Sequence, residues 1–296
     1  MIDVPEQLAA SQAKFNGDRG RAFIARLPEL AAGFLDRWRL RLDGPSMYGW
    51  TALVLPVVRA DGTAAVLKLQ LLDDESEGEH LALRAWDGDG AVRLLDHDAG
   101  TGTLLLERLD PARSLGHLPD SREAVLVLAR LLARLHRLPA PPGMRRLADI
   151  ARAMLERTPA VLRRIPDPRD RRLLADCSAA LREVVDEPGD RLLHWDLHYD
   201  NVLAADRADW LAIDPKPLAG DPAFDLLPAI DNRFDPDEVR PRFDAMTDVL
   251  ALDRARARAW CLARVLQNCL WEVEEGRSLE EEQLEIARRL RTAGGG

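Results

Sequence analysis

The chain has 296 residues, 50 of them acidic and 41 basic, for a formal net charge of −9. Hydrophobic residues make up 47% and charged residues 31%, enough apolar material for a sizeable core or two lobes. The acidic balance argues against a nucleic-acid partner, and no apolar run approaches the ~20 residues that cross a bilayer.

The opening stretch MIDVPEQLAASQAK carries neither a basic n-region nor an apolar h-region, so no secretory signal is read there. Cys177, Cys261 and Cys269 are odd in number and scattered, which fits a reducing cytoplasm without disulfides. A helix is expected over about 20–37. Strand-length apolar runs follow: WRLRL, TALVLPVVR, TAAVLKLQL, AVRLLDHD and TGTLLLERL. Asp61-Gly62, between two of these runs, predicts a hairpin. One helical segment, ESEGEHLALRAW, interrupts the strands. Beyond residue 120 helical patterns dominate. Asp120 and Glu123 have capping-box spacing, and Leu128, Leu131, Leu132 and Leu135 form a stripe. Further helices are expected near 147–163 and 169–186, along a stripe of Leu262, Val265, Leu266 and Cys269, and from Ser278 and Glu281 onward. Gly294-Gly295-Gly296 reads as a frayed tail. The reading is an α+β chain: a small antiparallel-sheet lobe with one inserted helix over residues 1–108, then a larger, mainly helical lobe over 109–296.

The helical half is interrupted by LLHWDLHYDNVLAADRADWLAIDPK, residues 192–216. His194, Asp196 and His198 alternate, so on a strand they would face one way and could hold Zn²⁺ or Fe²⁺ as in a metallohydrolase. That leaves Asn201, Asp214 and Lys68 without a role. The spacing His194-x-Asp196-x₄-Asn201 also fits a phosphoryl-transfer loop, in which the Asp accepts the attacking hydroxyl's proton and the Asn binds Mg²⁺. Asp214 closes an apolar strand 18 positions later, where a carboxylate can reach the same ion. Lys68 lies mid-strand after the hairpin, and Glu79 shares a helix face with Leu83 and Trp86, so an ion pair between them is expected. The chain has three lysines, Lys14, Lys68 and Lys216, against 38 arginines, which marks a mid-strand Lys as a choice of a compact ammonium. Five residues of the right kind in the right order favour phosphoryl transfer over a metal cluster.

HWDLHYDNVL, LAIDPKPLAGDPAFDLLP and RAWDGDGAVRLLDHD resemble the aminoglycoside phosphotransferase superfamily, in its streptomycin 6-kinase and hydroxyurea phosphotransferase branch. The resemblance runs from about residue 40 to 275. It implies a bilobal protein-kinase-like fold and transfer of the γ-phosphoryl group of ATP, with Mg²⁺, to a small-molecule hydroxyl. It makes Asp196 the base, Asn201 and Asp214 the Mg²⁺ ligands, and Lys68, set by Glu79, the holder of the α/β-phosphates. Glu107 to Leu109 would grip adenine through backbone groups. Ser46, at the start of a turn to Trp50 with a single Gly49, would stand over the phosphates in place of a glycine-rich loop. Trp195 stands where protein kinases have Arg. Asp221 follows Asp214 by seven positions, leaving no room for a peptide-docking platform, so the acceptor is expected to be a small molecule and no protein partner is implied. His198 is read as orienting Asp196 or lining the acceptor pocket, and Lys216 as sitting near the phosphates or the acceptor or else simply solvated. Asp221 and Asp225 are read as braces for the loop. Trp271 and Glu272, with Glu274 and Glu275, are read as an acidic wall for a cationic acceptor such as streptomycin, with hydroxyurea the next candidate and antibiotic resistance the implied role. The alternatives are a metabolic kinase for a sugar, amino sugar or amino alcohol, and a nucleotide-binding pseudo-enzyme. The complete set Lys68, Asp196, Asn201 and Asp214 speaks against the pseudo-enzyme.

Overall fold

A computed structural model describes residues 2–291, so the glycine tail lies outside the described residues. The polypeptide forms two compact units. One is Met1–Asp110 with Ala205–Arg207, and the other is Pro111–Ala204 with Ala208–Gly296.

The first unit starts with α1 (Glu6–Arg37), which is bent at Gly17 (φ 52°, ψ −130°). The helix expected from residue 20 therefore has an additional arm upstream. Polar composition and the glycine hide that arm from periodicity, yet Leu8 is fully buried in the same core as Leu27, Ala31 and Phe34. The strands are β1 (Arg41–Leu42), β2 (Met47–Tyr48), β3 (Ala52–Val58) and β4 (Ala64–Gln70), then β5 (Leu94–Asp98) and β6 (Thr103–Glu107) after helix α2 (Glu79–Trp86). They form one antiparallel sheet in the order β1-β3-β4-β6-β5, with β2 added to β3. The β3–β4 turn contains Asp61-Gly62, with Gly62 at φ 85° and Asp61 Oδ1 accepting the Thr63 N–H at 2.9 Å. Strand periodicity then sorts β4. Ala65, Leu67 and Leu69 enter the core beneath α1, so Lys68 and Gln70 project from the opposite face.

The second unit is mainly helical. After β7 (Asp110–Ser114) come α3 (Ser121–Leu135), α4 (Leu147–Leu162) and α5 (Pro168–Val184). Asp120 caps α3 by accepting from the Arg122 and Glu123 N–H groups. Four short strands follow: β8 (Arg191–Leu193), β9 (Val202–Ala204), β10 (Leu211–Ala212) and β11 (Leu218–Gly220). β9 and β10 form a hairpin whose sheet includes β7, and β11 pairs antiparallel with β8. The chain finishes with α6 (Leu227–Asp231), α7 (Val239–Leu250), α8 (Arg254–Glu274) and α9 (Glu281–Arg291). From Ala257 to Val273, α8 buries residues on every side, including the expected Leu262, Val265, Leu266 and Cys269. A helix buried on every side is an interior one, and α8 packs against α4, α5 and α9. The three cysteines are free and buried. Among the described residues, no helix is long and apolar enough to cross a membrane.

Candidate active site

In the first unit, the face of β4 turned away from the α1 core meets α2. Lys68 Nζ donates to Glu79 Oε1 at 2.7 Å and Oε2 at 2.8 Å, and Gln70 Nε2 donates to Oε2 at 2.7 Å. Lys68 is 6% and Glu79 2% exposed, so the expected pair forms in a nearly water-free setting. Ser46 is half-buried just before β2, and the turn it opens ends at Trp50, which is 76% exposed. Ser11 Oγ and Gln12 Nε2, on the upstream arm of α1, donate to the carbonyls of Trp50 and Thr51. The Glu107 carboxylate is held by Arg207 Nε and Nη2 at 2.7 and 2.8 Å and by the Arg93 N–H. Burial alone would push that carboxyl up; the Arg207 hydrogen bonds hold it below the usual range. Leu109 is buried.

In the second unit, the polar loop is set by strand pairing. β8 delivers His194-Trp195-Asp196, and a 3-10 turn, Tyr199–Asn201, leads into β9. Asn201 accepts the Ile213 N–H at 2.9 Å through its carbonyl, which brings Asp214 alongside, and its side-chain Nδ2 donates to the Asp196 carbonyl at 2.9 Å. Pairing of β11 with β8 then folds the intervening Pro215-Lys216 back over the loop. The Lys216 N–H donates to the His194 carbonyl at 3.1 Å, and Lys216 Nζ lies 3.0 Å from Asp196 Oδ2. Asp196, Asn201, Asp214 and Lys216 are thus assembled on one short stretch of backbone. Gly220, at the end of β11, has no space for a Cβ, which would fall within 3 Å of Leu147 and Leu193. Trp195 (φ 72°) and Asp214 (φ 55°) both sit in the left-handed region, where a bulky residue and a residue before proline cost of order 1–3 kcal/mol each.

His194 does not join an exposed cluster with Asp196 and His198. It is fully buried and its Nε2 meets the Ile213 carbonyl at 3.0 Å, so that nitrogen carries the proton and cannot ligate a metal. Burial pushes its pKa down to about 4, which keeps it neutral. His198 turns toward Asp200 (Nδ1–Oδ2 4.0 Å), and its N–H donates to the Asp196 carbonyl at 3.1 Å. Among the described residues, no group of three or more His, Cys, Asp and Glu side chains is arranged to hold a metal.

A family model described as aminoglycoside/hydroxyurea antibiotic resistance kinase matches residues 37–276. The chain belongs to this family. It is 57% identical to a hydroxyurea phosphotransferase from Kitasatospora aureofaciens over 98% of this chain and 86% of the relative. It is 54% identical to a streptomycin 6-kinase from Streptomyces glaucescens over 98% of both chains. Its fold is similar to the crystal structure of a thermostable mutant of aminoglycoside phosphotransferase APH(4)-Ia, a ternary complex with ADP and hygromycin B. There the TM-score is 0.61 and the identity 14%, over 90% of this chain and 99% of that one. The kinase is a small-molecule phosphotransferase with an α+β, protein-kinase-like fold.

Several expected roles are redistributed by the structure of the kinase. Asp225 braces the loop: fully buried, it accepts the N–H groups of His194 (2.8 Å) and Trp195 (2.7 Å) and faces His136 Nε2 at 2.8 Å. Burial pushes its carboxyl up, but the His136 hydrogen bond and charge, helped by His194, bring it below the usual carboxylate value. Asp221 does not touch the loop. It accepts the Ala223 N–H at the start of its own 3-10 turn and pairs with Arg256 Nε at 2.7 Å. The acidic wall is already engaged within the chain. Glu272 is 4% exposed and accepts the Glu280 N–H, Glu274 pairs with Arg157 at 2.7 Å, and Glu275 with Arg277 at 3.1 Å. Trp271 lies 5.8 Å from the Arg264 guanidinium. Sequence reading missed Arg145 and Arg264, whose guanidiniums lie 4.9 and 4.4 Å from the buried Trp195 ring. It also missed Asp231, whose carboxyl burial pushes up to about 6, with Glu282 and Glu280 adding to the effect. The GDPAFD motif pointed to Asp225. No local pattern marks Arg145, 50 residues before the ring it covers.

Proposed function

We propose that this kinase moves the γ-phosphoryl group of ATP to a hydroxyl of an aminoglycoside such as streptomycin, or to hydroxyurea. The observation that carries this reading is its near full-length likeness to enzymes named for those two acceptors. Asp196 is the general base: it takes the acceptor hydroxyl's proton as that oxygen bonds to the γ-phosphorus and ADP leaves. Residues 1–108 supply the nucleotide contacts, with Lys68 on the α/β-phosphates, Glu79 holding Lys68, and the backbone of Glu107 to Leu109 on adenine. The turn from Ser46 to Trp50 stands over the phosphates, and Gln12 and Ser11 steady it. Residues 109–296 supply the base, the metal ligands and the acceptor contacts.

Asn201 and Asp214 fit Mg²⁺. Each offers a hard oxygen, the Asn201 amide nitrogen is already committed to Asp196, and two protein ligands suit an ion that keeps waters and phosphate oxygens. When bound, Mg²⁺ neutralises phosphoryl charge. Three residues, Pro215 to Pro217, link Asp214 to β11, so there is no segment on which a peptide acceptor could lie. The acceptor is a small molecule.

The test is mass spectrometry of streptomycin and hydroxyurea, each incubated with ATP, Mg²⁺ and the kinase. A gain of one phosphoryl group on either, lost in Asp196→Asn, supports the assignment. If both stay unmodified while an amino sugar or amino alcohol is phosphorylated, the acceptor is a metabolite and the antibiotic reading falls.

A further inference from the structure

Phosphoryl transfer spreads negative charge over the phosphoryl oxygens and the leaving group, and positive charge aimed there stabilises the transition state. In the loop of this kinase the position two residues after Asp196 is His198, which faces Asp200 and brings no cation to the Asp196 carboxylate. A cation comes from 20 residues further on: Lys216 Nζ is 3.0 Å from Asp196 Oδ2. Both side chains are part-exposed, 36% and 27%, so the pair sits at the edge of solvent, where an incoming substrate can reach it. Its backbone is fixed on both sides. The Lys216 N–H is bonded to the His194 carbonyl, its own carbonyl accepts from Arg145 Nη2 at 3.3 Å, and Pro215 precedes it. The Arg145 guanidinium in turn lies over Trp195, the residue before the base.

The choice of lysine is itself informative. The chain uses arginine for 38 of its 41 basic residues, and two of its three lysines, Lys68 and Lys216, are each held on a carboxylate. An ordinary surface pair would be served by the arginine the chain uses elsewhere. A compact ammonium that can move between two oxygens is what a guanidinium fork cannot supply.

We propose that Lys216 is a catalytic residue of the transfer step, resting on Asp196 before reaction and delivering its positive charge to the transferring phosphoryl group. This rests on the kinase reading above. In the step, the acceptor O–H bond breaks and its proton passes to Asp196. The acceptor oxygen forms a bond to the γ-phosphorus, and the bond from phosphorus to the bridging oxygen breaks, its electron pair leaving with ADP. Lys216 keeps its three protons throughout. Neutralisation of Asp196 removes the attraction that held the ammonium, just as negative charge spreads over the phosphoryl oxygens and the leaving group. The ammonium therefore interacts more strongly with the transition state than with the ground state, which is the condition for raising kcat rather than lowering KM.

The experiment compares wild type, Lys216→Met and Lys216→Arg with whichever acceptor the wild type phosphorylates. Thermal melting reports whether each variant is folded. Removing a donor aimed at developing charge costs on the order of 10²–10³-fold in kcat. Lys216→Met should show that loss with acceptor KM changed less than about threefold, and Lys216→Arg, which keeps the charge but not the compact ammonium, should recover only a minor part of it. Calorimetry gives a readout apart from turnover. With Mg²⁺ and acceptor present, Lys216→Met should bind ADP as the wild type does, but lose about tenfold or more in affinity for ADP–aluminium fluoride, a planar phosphoryl mimic. If the wild type is active and Lys216→Met matches it in kcat and in fluoroaluminate affinity, Lys216 is a structural partner only. Equal losses toward ADP and its fluoroaluminate complex would place the ammonium on the nucleotide and overturn the assignment as well. A wild type that binds no nucleotide and modifies no acceptor would sink the kinase reading itself.

Discussion

Lys68 and Glu79 allow stability and catalysis to be separated by experiment. Both are nearly inaccessible, and Gln70 donates a third hydrogen bond to the same carboxylate. Lys68→Met removes the cation but leaves Glu79 buried with the Gln70 amide. Breaking one side of a buried pair costs about 3–5 kcal/mol, because the remaining charge has lost its compensation. That is a fifth or more of the ~5–15 kcal/mol that holds a typical domain together. Lys68→Met with Glu79→Leu removes both charges and keeps similar volume. Its remaining cost is the stranded Gln70 amide, about 1–3 kcal/mol. Adding Gln70→Met should recover most of that. Urea denaturation of the four proteins, read at constant m value, gives the stabilities. The double and triple variants should be more stable than Lys68→Met, and all three should be inactive, since none offers an ammonium to the phosphates. If Lys68→Met lies within about 1 kcal/mol of wild type, the pair is not desolvated as its burial indicates. Near-normal turnover in the triple variant would remove Lys68 from the chemistry altogether.

Asp196→Asn should lower kcat about 10²–10⁴-fold, the contribution of a positioned base, while calorimetry finds nucleotide affinity within about twofold of wild type. Asp214→Ala, or EDTA added to the wild type, should sharply weaken ATP binding; affinity unchanged in both would take Asp214 out of the metal site. Burial pushes the Asp231 carboxyl up to about 6, so the folded state loses stability as pH rises from about 4 to 6, where the unfolded chain is already ionised. Asp231→Asn, uncharged throughout, should be more stable than wild type above pH 6, by on the order of 1–3 kcal/mol, and equal to it below pH 4. A melting-temperature difference that does not change with pH would contradict the burial of that carboxyl.

What could be read from the sequence follows from how local each constraint is. The Lys68–Glu79 pair was legible because two short-range periods determine it: strand alternation puts Lys68 opposite Leu67 and Leu69, and helix spacing aligns Glu79 with Leu83 and Trp86. The loop was legible because its candidate residues, His194 to Asn201, lie within eight positions. The arm of α1 before Gly17 was not, since its one deeply buried apolar residue, Leu8, has no periodic partners and is held by tertiary contact. Nor was α7, whose Pro241 in the first turn disguises a helix start. The partners of the acidic stretch around Glu272 were not legible, because the Arg157 that pairs with Glu274 is 117 residues away. An exposed-looking run of carboxylates carries no local mark of its partners.

Trp195 and Asp214 together explain why the loop can hold its geometry without a separate ordering segment. Each occupies a left-handed backbone conformation that a free chain would leave. At Trp195 the conformation is held on both sides: Asp225 fixes the N–H groups of residues 194 and 195, and two guanidiniums flank the indole. At Asp214 it is held by the neighbouring Ile213 N–H on Asn201 and the Lys216 N–H on His194. The braces share members, since Asp225 and Lys216 both bind His194, and Arg145 contacts both Trp195 and Lys216. Strain at Trp195 and Asp214 is therefore balanced by one hydrogen-bonded network anchored on Asp225, a carboxylate with no solvent exposure. The Trp195 indole lies against two guanidiniums that are permanent members of the fold.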